Sequence, residues 1–163
     1  MMRAKSSFTR LREQIEGIEV AMLTTVDEHG DLRSRPMATL EIGDDGDLWF
    51  FTRVDTPKVD ETQREHRVGL AYAAPASHRY ASVTGRAQLV HDREKIRRLW
   101  RPSHRLYLPE GREDPALALL CVTPQFAEYW CAPPTWIGRA LHLARTLLAG
   151  QPPQLSSHEK LAF

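Results

Sequence analysis

Cysteine is scarce in this sequence. Cys121 and Cys131 are the only two among 163 residues. Their ten-residue spacing fits neither a zinc-ligand pair nor a redox motif, and both lie in an apolar stretch, which suits free buried thiols. Long apolar runs are missing too. No segment reaches the roughly 18 apolar residues needed to span a bilayer. The first residues, "MMRAKSSFTRLREQIEG", contain no apolar run, so no signal peptide is expected and the reading is cytoplasmic, with no membrane partner. An excess of one charge is also absent: 22 Lys+Arg face 21 Asp+Glu, a net charge of +1. That balance gives no global attraction to nucleic acid. The sequence holds no H-x-x-x-H, P-loop, G-x-S-x-G or G-x-G-x-x-G, so the common metal, nucleotide and hydrolase signatures are excluded. No internal repeat or low-complexity segment interrupts it.

What is present reads as a single domain with a substantial core. "SSFTRLREQIEGI" places Phe8, Leu11 and Ile15 on one helical face and stops at Gly17. "IEVAMLTTV", "LRSRPMATLEI" and "LWFFT" read as three strands joined by polar turns, an antiparallel meander. In the second of these, Leu32, Pro36, Ala38, Leu40 and Ile42 alternate with Arg33, Arg35, Met37, Thr39 and Glu41. A helix over residues 57–66 follows, then strands in "RVGLAYAAP" and "YASVTGRAQLVHD" and a helix in "REKIRRLWR". "ALALLCVTPQFAEYWCAP" supplies a last long strand, or a pair broken near Pro124. "TWIGRALHLARTLLAG" predicts a C-terminal helix with a stripe of Ile137, Leu141, Ala144 and Leu148, packed on the body or a partner. The tail carries a weak capping-box match, Ser156 with Glu159. About six antiparallel strands with few helices predict a mainly β fold, a small barrel with flanking helices. The expected division is an N-terminal helix over 1–16, the barrel over 17–132, and the C-terminal helix and tail over 133–163.

The stretch "LWFFTRVDTPKVDETQ" passes from strand to helix and poses the functional question. Thr56 is placed to be an N-cap, with Pro57 at the first helical position. Lys58 then lies in the first turn, where free N–H groups and the helix dipole favour an anion. A cation there makes sense if an anion sits beside it. Thr52 ends the strand at the same gap. Arg35 lies mid-strand on a face shared with Met37 and Thr39. Together these residues suit a phosphate, with a solvated charged face as the rival. The basic run "KIRRLWRPSHR" reads as a solvated helix face and not as a nucleic-acid site. Tyr129 and Trp130 suit either a core or a cover for a flat ring.

In this order and spacing, "RSRPMATLEI", "LWFFTRVDTPKVDE", "YASVTGRAQLV" and "AEYW" resemble the flavin-binding split-barrel superfamily typified by pyridoxamine 5'-phosphate oxidase. Within it the chain looks most like the general stress protein 26 branch, from about Glu16 to Trp136 and again in the tail. The resemblance implies an FMN-binding split β-barrel and a homodimer with shared flavin sites. Arg35 would contact the phosphate and ribityl chain, and Pro36 and Met37 the ring through their backbone. Phe51 and Thr52 match an aromatic–threonine pair, Lys58 a phosphate lysine, and Trp130 a tryptophan in an aromatic–Trp pair. Tyr80 stands where the oxidase has a glutamine. The oxidase's strand ends in a lysine where this chain has Leu40, and its arginine–leucine–histidine motif is missing after Trp130. The flavin phosphate site is therefore expected to be kept and oxidation of pyridoxamine 5'-phosphate lost. The implied activity is that of a flavin-dependent oxidoreductase of unknown substrate. The alternatives are a non-catalytic flavin-binding stress protein, or a split barrel using deazaflavin or haem.

Overall fold

Helix α1 (Met2–Ile15) leads into strands β1 (Val20–Val26), β2 (Leu32–Ile42) and β3 (Leu48–Arg53), the expected meander. Helix α2 (Pro57–Arg64), β4 (Arg67–Ala74), β5 (Arg79–Val90), helix α3 (Arg93–Leu99), β6 (Leu117–Cys131) and β7 (Ser157–Ala162) complete the order. This computed structural model describes residues 2–131 and 157–163. The helix expected near residues 135–150 lies outside the described residues. The sheet runs β3-β2-β1-β4-β5-β6-β7, all antiparallel, and β3 also pairs with β6. That last pairing closes six strands into a barrel.

Two irregularities shape it. On β2, Thr39 pairs with Phe50 and Glu41 with Trp49, so Leu40 is an extra residue, a bulge. Residues 32–38 pair only with β1, while 39–42 pair with β3. The barrel is therefore split where β2 and β3 part, and α2 lies at that end, packed on β1 and β5. The second bulge is on β6. Thr84 pairs with Phe126 and Gly85 with Pro124, leaving Gln125 over. The break expected at Pro124 is thus a bulge within one continuous strand. Pro124 falls between the stretch paired to β3, which ends at Val122, and the stretch paired to β7, which begins at Phe126. A missing N–H is tolerated there. Gly85 is required by the close approach, since a Cβ would lie 2.6 Å from the Thr123 carbonyl oxygen.

The core inside the barrel comes from alternating strand positions, among them Leu23, Leu48, Phe50, Leu70, Tyr72, Val83 and Val122, with Leu11 and Ile15 of α1 against it. Helix α1 stops at Gly17, whose φ of 79° favours glycine. Leu117, Leu119 and Ile96 form a second cluster beneath α3. The tail is a strand, not a helix start: Leu161 is buried, and the Phe163 ring stacks on Phe8 at 4.5 Å. Cys121 is a buried free thiol. Among the described residues no helix is long and apolar enough to cross a membrane.

Candidate functional site

The split brings Arg35 and Lys58 together. Arg35 faces inward from the half of β2 that has left β3. Its Nη1 donates to Thr25 Oγ1 at 2.5 Å, and its Nη2 donates to Glu61 Oε2 at 2.7 Å. The Thr25 hydroxyl also donates to Glu61 Oε2. Thr25 and Glu61 are buried. Glu61 is therefore a buried carboxylate whose charge is answered by an arginine and a hydroxyl, as a buried charge requires.

Lys58, one helical step before Glu61, is half-buried at the start of α2. Burial holds its pKa below the ordinary lysine value, and the neighbouring Arg35 charge lowers it further, against weaker opposing effects of Asp55 and Glu61. Among the described residues no carboxylate lies within ion-pairing distance of its ammonium. Two cations thus share one end of the barrel with a single buried countercharge on Arg35. Pro57 takes the first helical position as expected, but Thr56 does not cap with its side chain. Its hydroxyl donates backward to the Arg53 carbonyl at 2.7 Å.

The other sequence-predicted residues distribute differently. Met37 is buried in the barrel core, whereas Pro36 is exposed on the outer face. Thr52 is buried on the inner face of β3, and its hydroxyl turns to the Arg53 carbonyl at 3.4 Å, outside the Arg35 network. Phe51 points to the other face of β3, against Trp100 and His104 at 5.6 and 5.1 Å between ring centroids. Tyr80 and Trp130 are direct partners across β5 and β6. Trp130 stacks on His158 of β7, with centroids 5.1 Å apart and planes 3° from parallel. Tyr129, by contrast, is a core residue, its hydroxyl bonded to Glu159.

Parity separates the two groups. Arg35, Leu23, Leu70 and Val83 occupy one register row and face inward. Tyr80 lies three residues from Val83, so it faces outward. Tyr80 and its partner Trp130 thus lie on the opposite face of the sheet from Arg35 of the same chain. Beside them the outer face of β1, β2 and β4 is largely uncharged, whereas Glu128 of β6 meets Lys160 and His158 of β7 next to Trp130. Val20 and Met22 of β1 pair with Ala38 and Pro36 of β2, Met22 pairs with Ala71 of β4, and Ala73 pairs with Tyr80. Val20, Met22 and Tyr80 are 47%, 41% and 41% exposed.

A recess of about 220 Å³ adjoins the β2 bulge, lined by Ala38, Thr39, Leu40, Arg98, Leu99, Arg101 and His104. Its basic lining sits beside Leu40. Burial and the Arg101 charge lower the His104 pKa. Thr25, Glu61 and His158 carry the site features missed in the sequence. Glu61 and Lys58 share an i, i+3 spacing, which is the signal that could have joined them. Among the described residues no cluster of His, Cys, Asp or Glu is placed to hold a metal ion.

Residues 6–154 match the family model described as pyridoxamine 5'-phosphate oxidase like. The chain belongs to this family. Several of its structural neighbours come from the general stress protein branch expected from the sequence. A structure described as general stress protein 26 from Jannaschia sp. CCS1 superposes with a TM-score of 0.76 over all of both chains, at 21% identity. The general stress FMN/FAD binding protein of Xanthomonas citri is 28% identical, with a TM-score of 0.65 over 78% of this chain and 89% of that one. Protein bli-3 of Neurospora crassa is 27% identical over 142 residues, 81% of this chain and 68% of its own. The barrel predicted for this family member is the barrel observed.

Proposed function

We propose that this chain binds FMN between two copies of itself and serves as a flavin-dependent oxidoreductase. The observation that carries the reading is the pairing of Arg35 with Lys58 at the split, two cations placed for one phosphate. Their chemistry fits a phosphomonoester: Arg35 is already oriented, and Lys58 has no direct carboxylate partner among the described residues. The flavin-binding relative from Xanthomonas citri supports the ligand class. Bound there, FMN would supply the redox chemistry.

The protein's own residues would do the rest. Arg35 and Lys58 hold the phosphate, and the backbone after Arg35, through Pro36 and Met37, runs beside the ring. Tyr80 and Trp130 of a second copy cover the ring, because a chain's own pair faces away from its cradle. The uncharged patch of Val20, Met22, Pro36, Ala38 and Ala71 is the surface on which that copy would sit. The unidentified substrate fits the recess at Leu40, where Arg98, Arg101 and His104 suit a small acid.

The test begins with the absorbance spectrum of the purified protein, which distinguishes oxidised flavin from deazaflavin and haem. Titration of flavin-stripped protein should then show tighter binding of FMN than of riboflavin. Equal affinities would remove the phosphate cradle. Saturable turnover with a reduced nicotinamide supports an enzyme; tight FMN binding without turnover makes the chain a non-catalytic flavin-binding stress protein.

A further inference from the structure

We infer that Glu61, together with Thr25, is the positioning residue for Arg35 and so sets the preference for a phosphorylated flavin. This rests on the phosphate reading above. An arginine on a strand has a long, mobile side chain, and a guanidinium free to wander binds an anion poorly. Here its two terminal nitrogens are fixed from behind, Nη1 by Thr25 and Nη2 by Glu61. A guanidinium has five N–H donors, and the remaining ones have no partner among the described residues.

Depth decides how the carboxylate acts. The Glu61 side chain is 8% exposed and that of Arg35 is 24%. The carboxylate is therefore the more deeply buried of the pair, and the guanidinium is the more open to solvent. Glu61 orients Arg35 without facing the incoming anion. Helix α2 also carries Lys58 three residues earlier, on the same side. One helix thus presents one cation itself and aims the other through Glu61. The rival role is a plain fastening of α2 to β2, which would support either flavin equally.

The experiment titrates the flavin-stripped full chain with FMN and with riboflavin, by quenching of flavin fluorescence. Variants are Glu61→Ala, Glu61→Gln, Thr25→Val, Arg35→Ala and the double Glu61→Ala/Arg35→Ala. Glu61→Ala should weaken FMN about tenfold and riboflavin less than about twofold. Glu61→Gln keeps an acceptor oxygen and loses the charge, so its FMN loss should be smaller, about threefold, as should that of Thr25→Val. In the Arg35→Ala background, Glu61→Ala should add no further FMN loss, because nothing remains for it to aim. Matching losses for both flavins, or full additivity with Arg35→Ala, would overturn the inference. Should Glu61→Ala fail to fold, an unchanged FMN-to-riboflavin ratio in both Glu61→Gln and Thr25→Val overturns it instead. If Arg35→Ala alone costs both flavins equally, the phosphate reading has failed, and this inference falls with it.

Discussion

The two ends of the proposed flavin site are built on opposite physical principles. At the split, Arg35, Thr25 and Glu61 form a hydrogen-bonded ionic network within one chain, with the half-buried Lys58 beside it. On the outer face, Tyr80 stands open beside a Trp130–His158 stack, with small uncharged residues of β1, β2 and β4 on one side and Glu128 with Lys160 on the other. The first needs no partner to be ordered. The second presents apolar surface that gains most when something covers it. As proposed, phosphate recognition is a property of the chain, whereas ring recognition is a property of the dimer. Breaking one end should leave a signature that breaking the other does not.

The largest effect should come from Met22→Asp, at the centre of the uncharged face. Burying an unpaired carboxylate there costs roughly 4 kcal/mol, about a thousandfold in the dimer dissociation constant. Sedimentation should show monomers, and both flavins should be lost together. A monomeric variant that still binds FMN tightly would place the whole site within one chain. Next comes Lys58→Ala. A charge-assisted hydrogen bond is worth roughly 1.5–3 kcal/mol, so FMN should weaken about 10- to 150-fold while riboflavin barely changes.

Trp130→Ala should have a smaller and unselective effect. Aromatic stacking beyond burial contributes about 0.5–1.5 kcal/mol, or about 2- to 12-fold, and should cost FMN and riboflavin alike. The two single variants also test sharing directly. When Lys58→Ala and Trp130→Ala chains are unfolded and refolded together, a heterodimer regains one intact site. It takes Lys58 from the Trp130 variant and Trp130 from the Lys58 variant. Heterodimers with no recovered tight binding would contradict a shared flavin.

Legibility in the sequence followed the same division. Alternation in "LRSRPMATLEI" and "LWFFT" was enough to draw the meander, and Pro57 and Gly17 marked helix ends correctly. Arg35 and Lys58 were legible because charge is unusual at a strand interior and at a helix start. Glu61 was not. In "PKVDETQR" it looks like solvated helix surface. It is buried because α2 has so little apolar face: Val59 packs inward with Glu61 and Thr62 beside it. Tertiary closure decides such a case, and no local pattern records it. The bulge at Leu40 was equally hidden, since alternation continues through it in the sequence while the pairing shifts. The tail strand was not drawn, since the weak S-x-x-E match pointed elsewhere and the alternation of Glu159, Leu161 and Phe163, on β7 and just beyond it, is short. His158, on the opposite face, reached Trp130 only through that strand.

The smallest effect, and the most specific to the ionic end, is a pH dependence. Lys58 has its pKa lowered from 10.5, chiefly by burial and then by the Arg35 charge. In the unfolded chain it holds its proton to higher pH. Between the two values the unfolded state binds more protons, so the flavin-free protein should gain stability as pH rises through that window. FMN reverses the sign. A phosphate beside Lys58 favours the charged ammonium and raises its pKa, so binding takes up a proton once the free lysine has begun to lose one. FMN affinity should therefore fall as pH rises toward 10.5. Riboflavin carries the same ring and serves as the internal control, so the ratio of the two affinities isolates the phosphate. That ratio should drop as pH rises from neutral toward 10.5, the ordinary lysine value. In Lys58→Met the ratio should already be low at neutral pH and should stay flat. A ratio that falls equally in wild type and Lys58→Met would assign the titration to another group and leave Arg35 as the sole cation of the cradle.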